Sequence, residues 1–143
     1  MDSPDLRVDL QALSDSILTR FPDTQALYLF GSAATGELTR NSDIDIAVLL
    51  PVVQAGTADR ELSLEVKPSL DEIAGRPVDL INLRMVSVVF KKEIIFTGER
   101  FFTADITAAE EFEMLTMSYY QKLNDERREI LEELFRSKRS YAI

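Results

Sequence analysis

The 143-residue chain contains neither histidine nor cysteine. Without an imidazole there is no Ser-His-Asp or Cys-His nucleophile system, no helical His-Glu-x-x-His zinc site and no histidine acid or base. Without a thiol there are no disulfides, thiolate nucleophiles, zinc fingers or iron-sulfur ligands. Positive charge is also scarce. The 16 Lys and Arg face 25 Asp and Glu, for a net charge of -9. The deficit is general: residues 1–103 hold 16 acidic and 10 basic side chains, and residues 104–143 hold 9 and 6. No basic stripe is left to meet a phosphate backbone, so direct nucleic-acid binding is not expected and a basic protein partner suits the chain better. No apolar run approaches the roughly 18 residues of a membrane span. The N-terminal MDSPDLRVDL lacks the positive-then-apolar order of a signal peptide. The expected compartment is the cytoplasm, with no membrane contact. Any chemistry must therefore come from carboxylates, hydroxyls, Lys or Arg, and a metal held by oxygen.

What remains is the composition of a folded protein, with 45% apolar and 29% charged residues in a length that suits one core. Ser3 and Pro4 read as a helix start, and Leu6, Leu10, Leu13 and Ile17 continue at helical spacing until Phe21-Pro22. Residues 26–30 (ALYLF) form a short apolar run ending at Gly31, as expected of a buried strand with Tyr28 in the core. A helical turn at 33–35 closes at Gly36, and residues 43–50 (DIDIAVLL) are the strongest strand candidate. Across 58–74, Leu62, Val66, Leu70 and Ile73 keep a helical period, but Pro68 removes a donor in mid-run and must kink or split the helix. Residues 78–83 alternate as a strand, 85–95 form a helix closed by Gly98, and 100–103 form a last short strand. Thr107 and Glu110 form a capping box that opens a long helix over 108–135. The expected organisation is an α/β unit at 1–103 with a helical extension at 104–143, joined in one compact unit.

The chemistry is concentrated where Gly31-Ser32 follows one strand and, ten residues later, Asp43-Ile44-Asp45 opens the next. Alternation along a strand points Asp43 and Asp45 to one face, roughly 7 Å apart, and Ile44 and Ile46 to the other. Asp79, between Val78 and Leu80, joins them if its strand lies beside theirs. Such acids repel one another unless a cation is bound, and Mg²⁺ suits a few carboxylates completed by water and phosphate. A glycine at the strand-to-helix turn lets backbone N–H groups approach an anion, and Ser32 adds a hydroxyl donor. Two ions sharing Asp43 and Asp45 would serve displacement at phosphorus, with Asp79 ligating the ion at the attacking hydroxyl or accepting its proton. The implied reaction class is nucleotidyl transfer to a hydroxyl, with pyrophosphate leaving.

The stretch GSAATGELTRNSDIDIAVLL resembles the Gly-Ser, ten residues, Asp-x-Asp signature of the polymerase-beta-like nucleotidyltransferases, and Asp79 falls where their third acid lies. In size the chain is similar to the minimal nucleotidyltransferases, and its extra C-terminal helix makes it similar to the MntA-type antitoxins. The resemblance spans about residues 10–103 and reaches the last forty only by length and helical character. It implies a small mixed sheet flanked by helices, Mg²⁺ at Asp43, Asp45 and Asp79, and nucleotide at Gly31, Ser32, Asp43 and Asp45. It also implies AMP transfer from ATP to a tyrosine of a partner HEPN ribonuclease toxin, which silences the toxin. Ala33 and Thr35 stand where family members often carry arginine, so Arg40, or Lys91 and Lys92, would have to supply that charge. On the long helix, Phe112, Leu115, Tyr119 and Leu123 make one stripe, with Ile130, Leu131 and Leu134 beyond. Its length exceeds the width of so small a domain, so part should overhang, with Tyr119, Tyr120 and Phe135 as anchors for a partner. The competing reading is an acidic module that masks its partner by binding alone.

Overall fold

The computed structural model describes residues 9–39 and 41–141, with side chains described as far as residue 138. In chain order the elements are α1 (Leu10–Arg20), β1 (Ala26–Phe30), α2 (Ser32–Thr35), β2 (Ile44–Leu49), α3 (Val52–Ala55), α4 (Asp59–Glu61) and a π-helical stretch (Leu62–Val66). They continue with α5 (Lys67–Ala74), β3 (Val78–Asn82), a 3-10 turn (Leu83–Met85), α6 (Val88–Thr97), β4 (Glu99–Thr103) and α7 (Ile106–Tyr141). The strands form one mixed sheet in the order β3-β2-β1-β4. β1 runs antiparallel to both β2 and β4, and β2 runs parallel to β3.

Both faces of the sheet are covered, which explains why β1 is apolar at every position and buried throughout. One face sends Leu27, Leu29, Ile44, Ile46, Val48 and Val78 against α1, α5 and the π-helical stretch, where Leu13, Ile17, Val66 and Leu70 meet them. The other sends Ala26, Tyr28, Phe30, Ala47 and Leu49 against Ile94 of α6 and Ala109 and Phe112 of α7. Burying Phe112 contributes about 1.5–3 kcal/mol toward docking α7. Tyr28 is core, as its sequence context requires, and its hydroxyl donates to the Glu113 carboxylate at 2.6 Å. Burial, with Glu113 alongside, raises the phenol well above its ordinary value.

Local chemistry sets the ends of the helices. Asp9 caps α1 by accepting from Ala12 N–H at 3.0 Å; the helix start expected at Ser3, Pro4 and Leu6 lies outside the described residues. The helical run is divided ahead of Pro68 into α4, the π-helical stretch and α5. The turns before it widen to a π-helix, with Lys67 N–H bonding back to the Leu62 carbonyl, and the proline takes an early position of α5. The expected capping box at Thr107 does not form. Asp105 takes the cap, its carboxylate accepting from Ala108 N–H at 3.0 Å, so α7 opens at Ile106. The helix expected from residue 85 begins three residues later, at Val88, because Ser87 caps α6 by accepting from Phe90 N–H.

α7 has 36 residues, or roughly 54 Å at 1.5 Å per residue. Its last buried side chain is Thr116, and residues 124–138 are all exposed, so the second half overhangs the body. Among the described residues no helix is long and apolar enough to cross a membrane.

Gly98 joins α6 to β4 where no larger residue fits. A Cβ there would lie 2.7 Å from the Leu29 carbonyl oxygen and closer still to that of Ile94, and both are fixed by helix or sheet. Gly98→Ala is expected to cost about 1–3 kcal/mol, seen in urea unfolding as a lower midpoint with an unchanged slope.

Candidate active site

The site begins with strand register. β2 pairs Asp45 with Phe30 of β1 on one side and with Asp79 of β3 on the other. Residues paired across a sheet point to the same face, so the Asp45 and Asp79 carboxylates stand side by side. Asp43 lies two residues earlier on the same side, just ahead of the strand. Ile44 and Ile46 project into the opposite apolar layer, as alternation demands. Among these acids only Asp45 is half-buried; Asp43 and Asp79 are exposed. Burial first, then the charges of Asp79 and Asp43, push the Asp45 carboxyl above its ordinary range. Among the described residues no positive charge offsets its ionised form.

Gly31 forms the opposite wall. It has φ 69 and ψ -151 and precedes α2, while its carbonyl accepts from Ala34 and Thr35 N–H at 3.1 and 3.2 Å. A Cβ at this position would fall on the Asp45 carboxylate, with the Asp45 Cγ only 3.2 Å away. The glycine thus serves both a left-handed backbone and a close approach to the acid. Ser32 is half-buried at the same turn, and its hydroxyl makes no hydrogen bond among the described residues. The four residues of α2 give it little dipole, so anion binding here must rely on the turn's N–H groups and the hydroxyl.

Two contacts that sequence reasoning missed hold the acids in place. Arg76 donates from Nη1 to the Thr39 carbonyl at 2.8 Å and to the Ser42 carbonyl at 3.3 Å, pinning the loop that delivers Asp43. Asp71 accepts from Val78 N–H at 2.7 Å and pairs with Lys67 at 3.0 Å, which fixes the entry of β3 ahead of Asp79. Their only advance signal is that polar side chains flank the Gly75-Pro77 punctuation. Ser42 behaves as a turn residue, its hydroxyl accepting from Thr39 N–H at 2.9 Å.

The charge expected to replace the missing arginines is not supplied by Lys91. That ammonium lies 5.7 Å from the Phe112 ring and lines a pocket with Gln25, Val52 and Arg84, at the opposite end of the strands. Lys92 sits over the rings of Phe96 and Tyr120 at 4.8 and 5.0 Å. Arg40 is outside the described residues. Ala33 and Ala34 pack against the apolar layer instead of facing solvent as charged groups would.

The donor set tests whether a metal fits. Among the described residues no group of three acidic side chains is drawn tightly enough to cage a cation alone. Mg²⁺ does not require a cage, since it is held by one or two carboxylates and completes its shell with water and substrate phosphate. All the donors are hard oxygens, and Asp45 is the group whose charge a cation would relieve. The site fits the ion.

A family model described as polymerase beta, nucleotidyltransferase matches residues 14–107, and the chain belongs to that family. Within it, the chain is 35% identical over 125 residues to the protein adenylyltransferase MntA of Shewanella oneidensis, spanning 87% of this chain and 84% of that one. It is also similar to a chain in the crystal structure of a toxin-antitoxin with AMP-PNP, at 33% identity and a TM-score of 0.70, covering 87% of this chain and 98% of that one. A chain in the complex of tri-AMPylated Shewanella oneidensis HEPN toxin with MNT antitoxin matches at 30% identity and a TM-score of 0.63, over 87% and 98% of the two chains.

Proposed function

We propose that this chain is an MntA-type antitoxin that transfers AMP from ATP to a tyrosine hydroxyl of a cognate HEPN ribonuclease toxin in the cytoplasm, neutralising it. The observation that carries this reading is the in-register pair Asp45 and Asp79 beside the left-handed turn at Gly31. Gly31 and Ser32 bind and orient the triphosphate. Asp43 and Asp45, with Asp79 alongside, would hold Mg²⁺, which when bound offsets phosphate charge and makes the α-phosphorus more open to attack. Asp79, exposed at the rim, faces the acceptor and either completes the metal site or takes the hydroxyl proton. As the tyrosine oxygen bonds to the α-phosphorus, the bond to the bridging oxygen breaks and pyrophosphate leaves. Residues 1–103 form the transferase unit. Residues 104–143 form an extension whose first half seals the sheet and whose second half reaches the toxin.

The test is to incubate the protein with its HEPN toxin, Mg²⁺ and α-labelled ATP. Label retained on the toxin, lost when a tyrosine is changed to phenylalanine, supports transfer. Neutralisation without label would favour masking by binding alone, a reading supported by the apolar Ile130, Leu131, Leu134 and Phe135 exposed on the overhang of an acidic chain. Deleting residues from 124 onward is expected to weaken toxin binding at least about tenfold. ATP binding should change little, as calorimetry with each ligand separately would establish.

A further inference from the structure

At the end of the sheet opposite the aspartates, the chain enters β1 past Gln25 and leaves β3 through Arg84. α6 and the first turns of α7 roof this end over a pocket of about 390 Å³. Within it Arg84 is tethered, donating from Nε to the Leu50 carbonyl and from Nη2 to the Gln25 side-chain oxygen at 2.7 Å. Its Cζ lies 5.4 Å from the centroid of the Phe112 ring, and the Lys91 Nζ lies 5.7 Å from the same centroid. Two half-buried cations thus lie within 6 Å of the centre of one ring.

Their surroundings make this unusual. In a chain with 25 acidic residues against 16 basic ones, a half-buried cation should find a carboxylate. Yet among the described residues Lys91 makes no ion pair and donates no hydrogen bond, and Glu111, on the same pocket wall, is bonded to neither cation. Burial lowers the proton affinity of both groups, and Arg84 lowers that of Lys91 further, while the charge of Glu111 works the other way on Arg84. Two like charges held together with an unused ammonium have the electrostatics of an anion site. The lining also includes Val52, Leu115 and Tyr119, which are 69%, 42% and 57% exposed. A volume near the lower end of small-molecule sites suits a compact ligand.

We propose that this pocket binds a small oxyanion-bearing molecule, a carboxylate or a phosphate monoester, with its anion between Arg84 and Lys91 and its apolar group against Val52, Leu115 and Tyr119. The strand length from Asp45 to Leu50, roughly 16 Å, separates it from the aspartates, so it is distinct from the triphosphate site and does not rest on the transferase reading.

The test uses the full chain without nucleotide or metal, titrated with phenyl phosphate and, separately, with benzoate while amide resonances are followed. Either probe is expected to give saturable shifts at Arg84, Lys91 and Phe112, with Asp43, Asp45 and Asp79 unmoved. Stronger binding of one probe identifies the anion class. Lys91→Met should weaken binding at least about tenfold, Lys91→Arg should retain it, and Lys92→Met should leave it unchanged. Absence of saturation with both probes, shifts centred on the aspartates, or equal weakening by Lys91→Met and Lys92→Met would overturn the proposal.

Discussion

Asp45→Asn is expected to abolish AMP transfer, lowering the rate at least about 10³-fold, which corresponds to losing roughly 4 kcal/mol of charge stabilisation at phosphorus. The same substitution should raise the melting temperature of the metal-free protein at neutral pH. The folded-state carboxyl of Asp45 sits above its ordinary range because of burial, Asp79 and Asp43, in that order. A carboxyl raised on folding favours the folded state at low pH, where it is protonated, and that advantage is lost as pH rises through its folded value. At neutral pH the ionised group therefore opposes folding, and asparagine removes the opposition. The difference between wild type and variant should shrink as pH is lowered toward the ordinary aspartate range. Thermal unfolding in EDTA across that range checks the sign. A variant that melts well below wild type at pH 7 would mean that the three carboxylates do not sense one another as their shared face requires.

Gly31→Ala should be nearly as damaging to activity, through a different cause. The methyl group would occupy the place of the Asp45 carboxylate and would sit on a backbone with φ 69. The carboxylate can swing away, because it is the free end of a side chain, but it then leaves the position beside Asp79. The expected outcome is a loss of transfer of about 10² to 10³-fold together with about 1–3 kcal/mol of destabilisation from the strained backbone. Single-turnover rates and denaturant melts measured on one preparation separate the two. Activity unaffected by the alanine would place the reacting groups elsewhere on the sheet.

The grouping of the candidate residues is legible in the sequence because it follows strand alternation and turn backbone, both of which are local. Asp43 and Asp45 share a face since they are two apart on a strand, and Gly31 ends an apolar run where only a glycine admits the turn. Asp79 needed one non-local fact, the parallel register of β2 with β3, for which the sequence offered only a family resemblance. The misreadings were of another kind. Thr107 looked like a cap because a hydroxyl precedes Glu110 at capping-box spacing, but Asp105 competes two residues earlier and its carboxylate bonds Ala108 N–H. Pro68 marks an interruption, but its form, a π-helical stretch just ahead of the proline, is not written in the spacing. Lys91 looked available to the phosphates because its place on α6 says nothing of which end of the sheet it faces. Side chains acting across 30 or so residues, such as Arg76 on the Thr39 carbonyl, leave no periodic trace.

The parallel pairing of β2 with β3 also governs when activity can arise. These strands are joined by a crossover that includes α3, α4 and α5, and the face that carries Ala47 and Leu49 is closed by α6 and the start of α7. A ribosome-bound chain that has emerged only as far as β2 has Gly31, Asp43 and Asp45 but lacks β3 and its Asp79. Long-range strand pairing is slow compared with local helix formation. The three acids are therefore brought together only once β3 has paired with β2, a contact of long sequence separation.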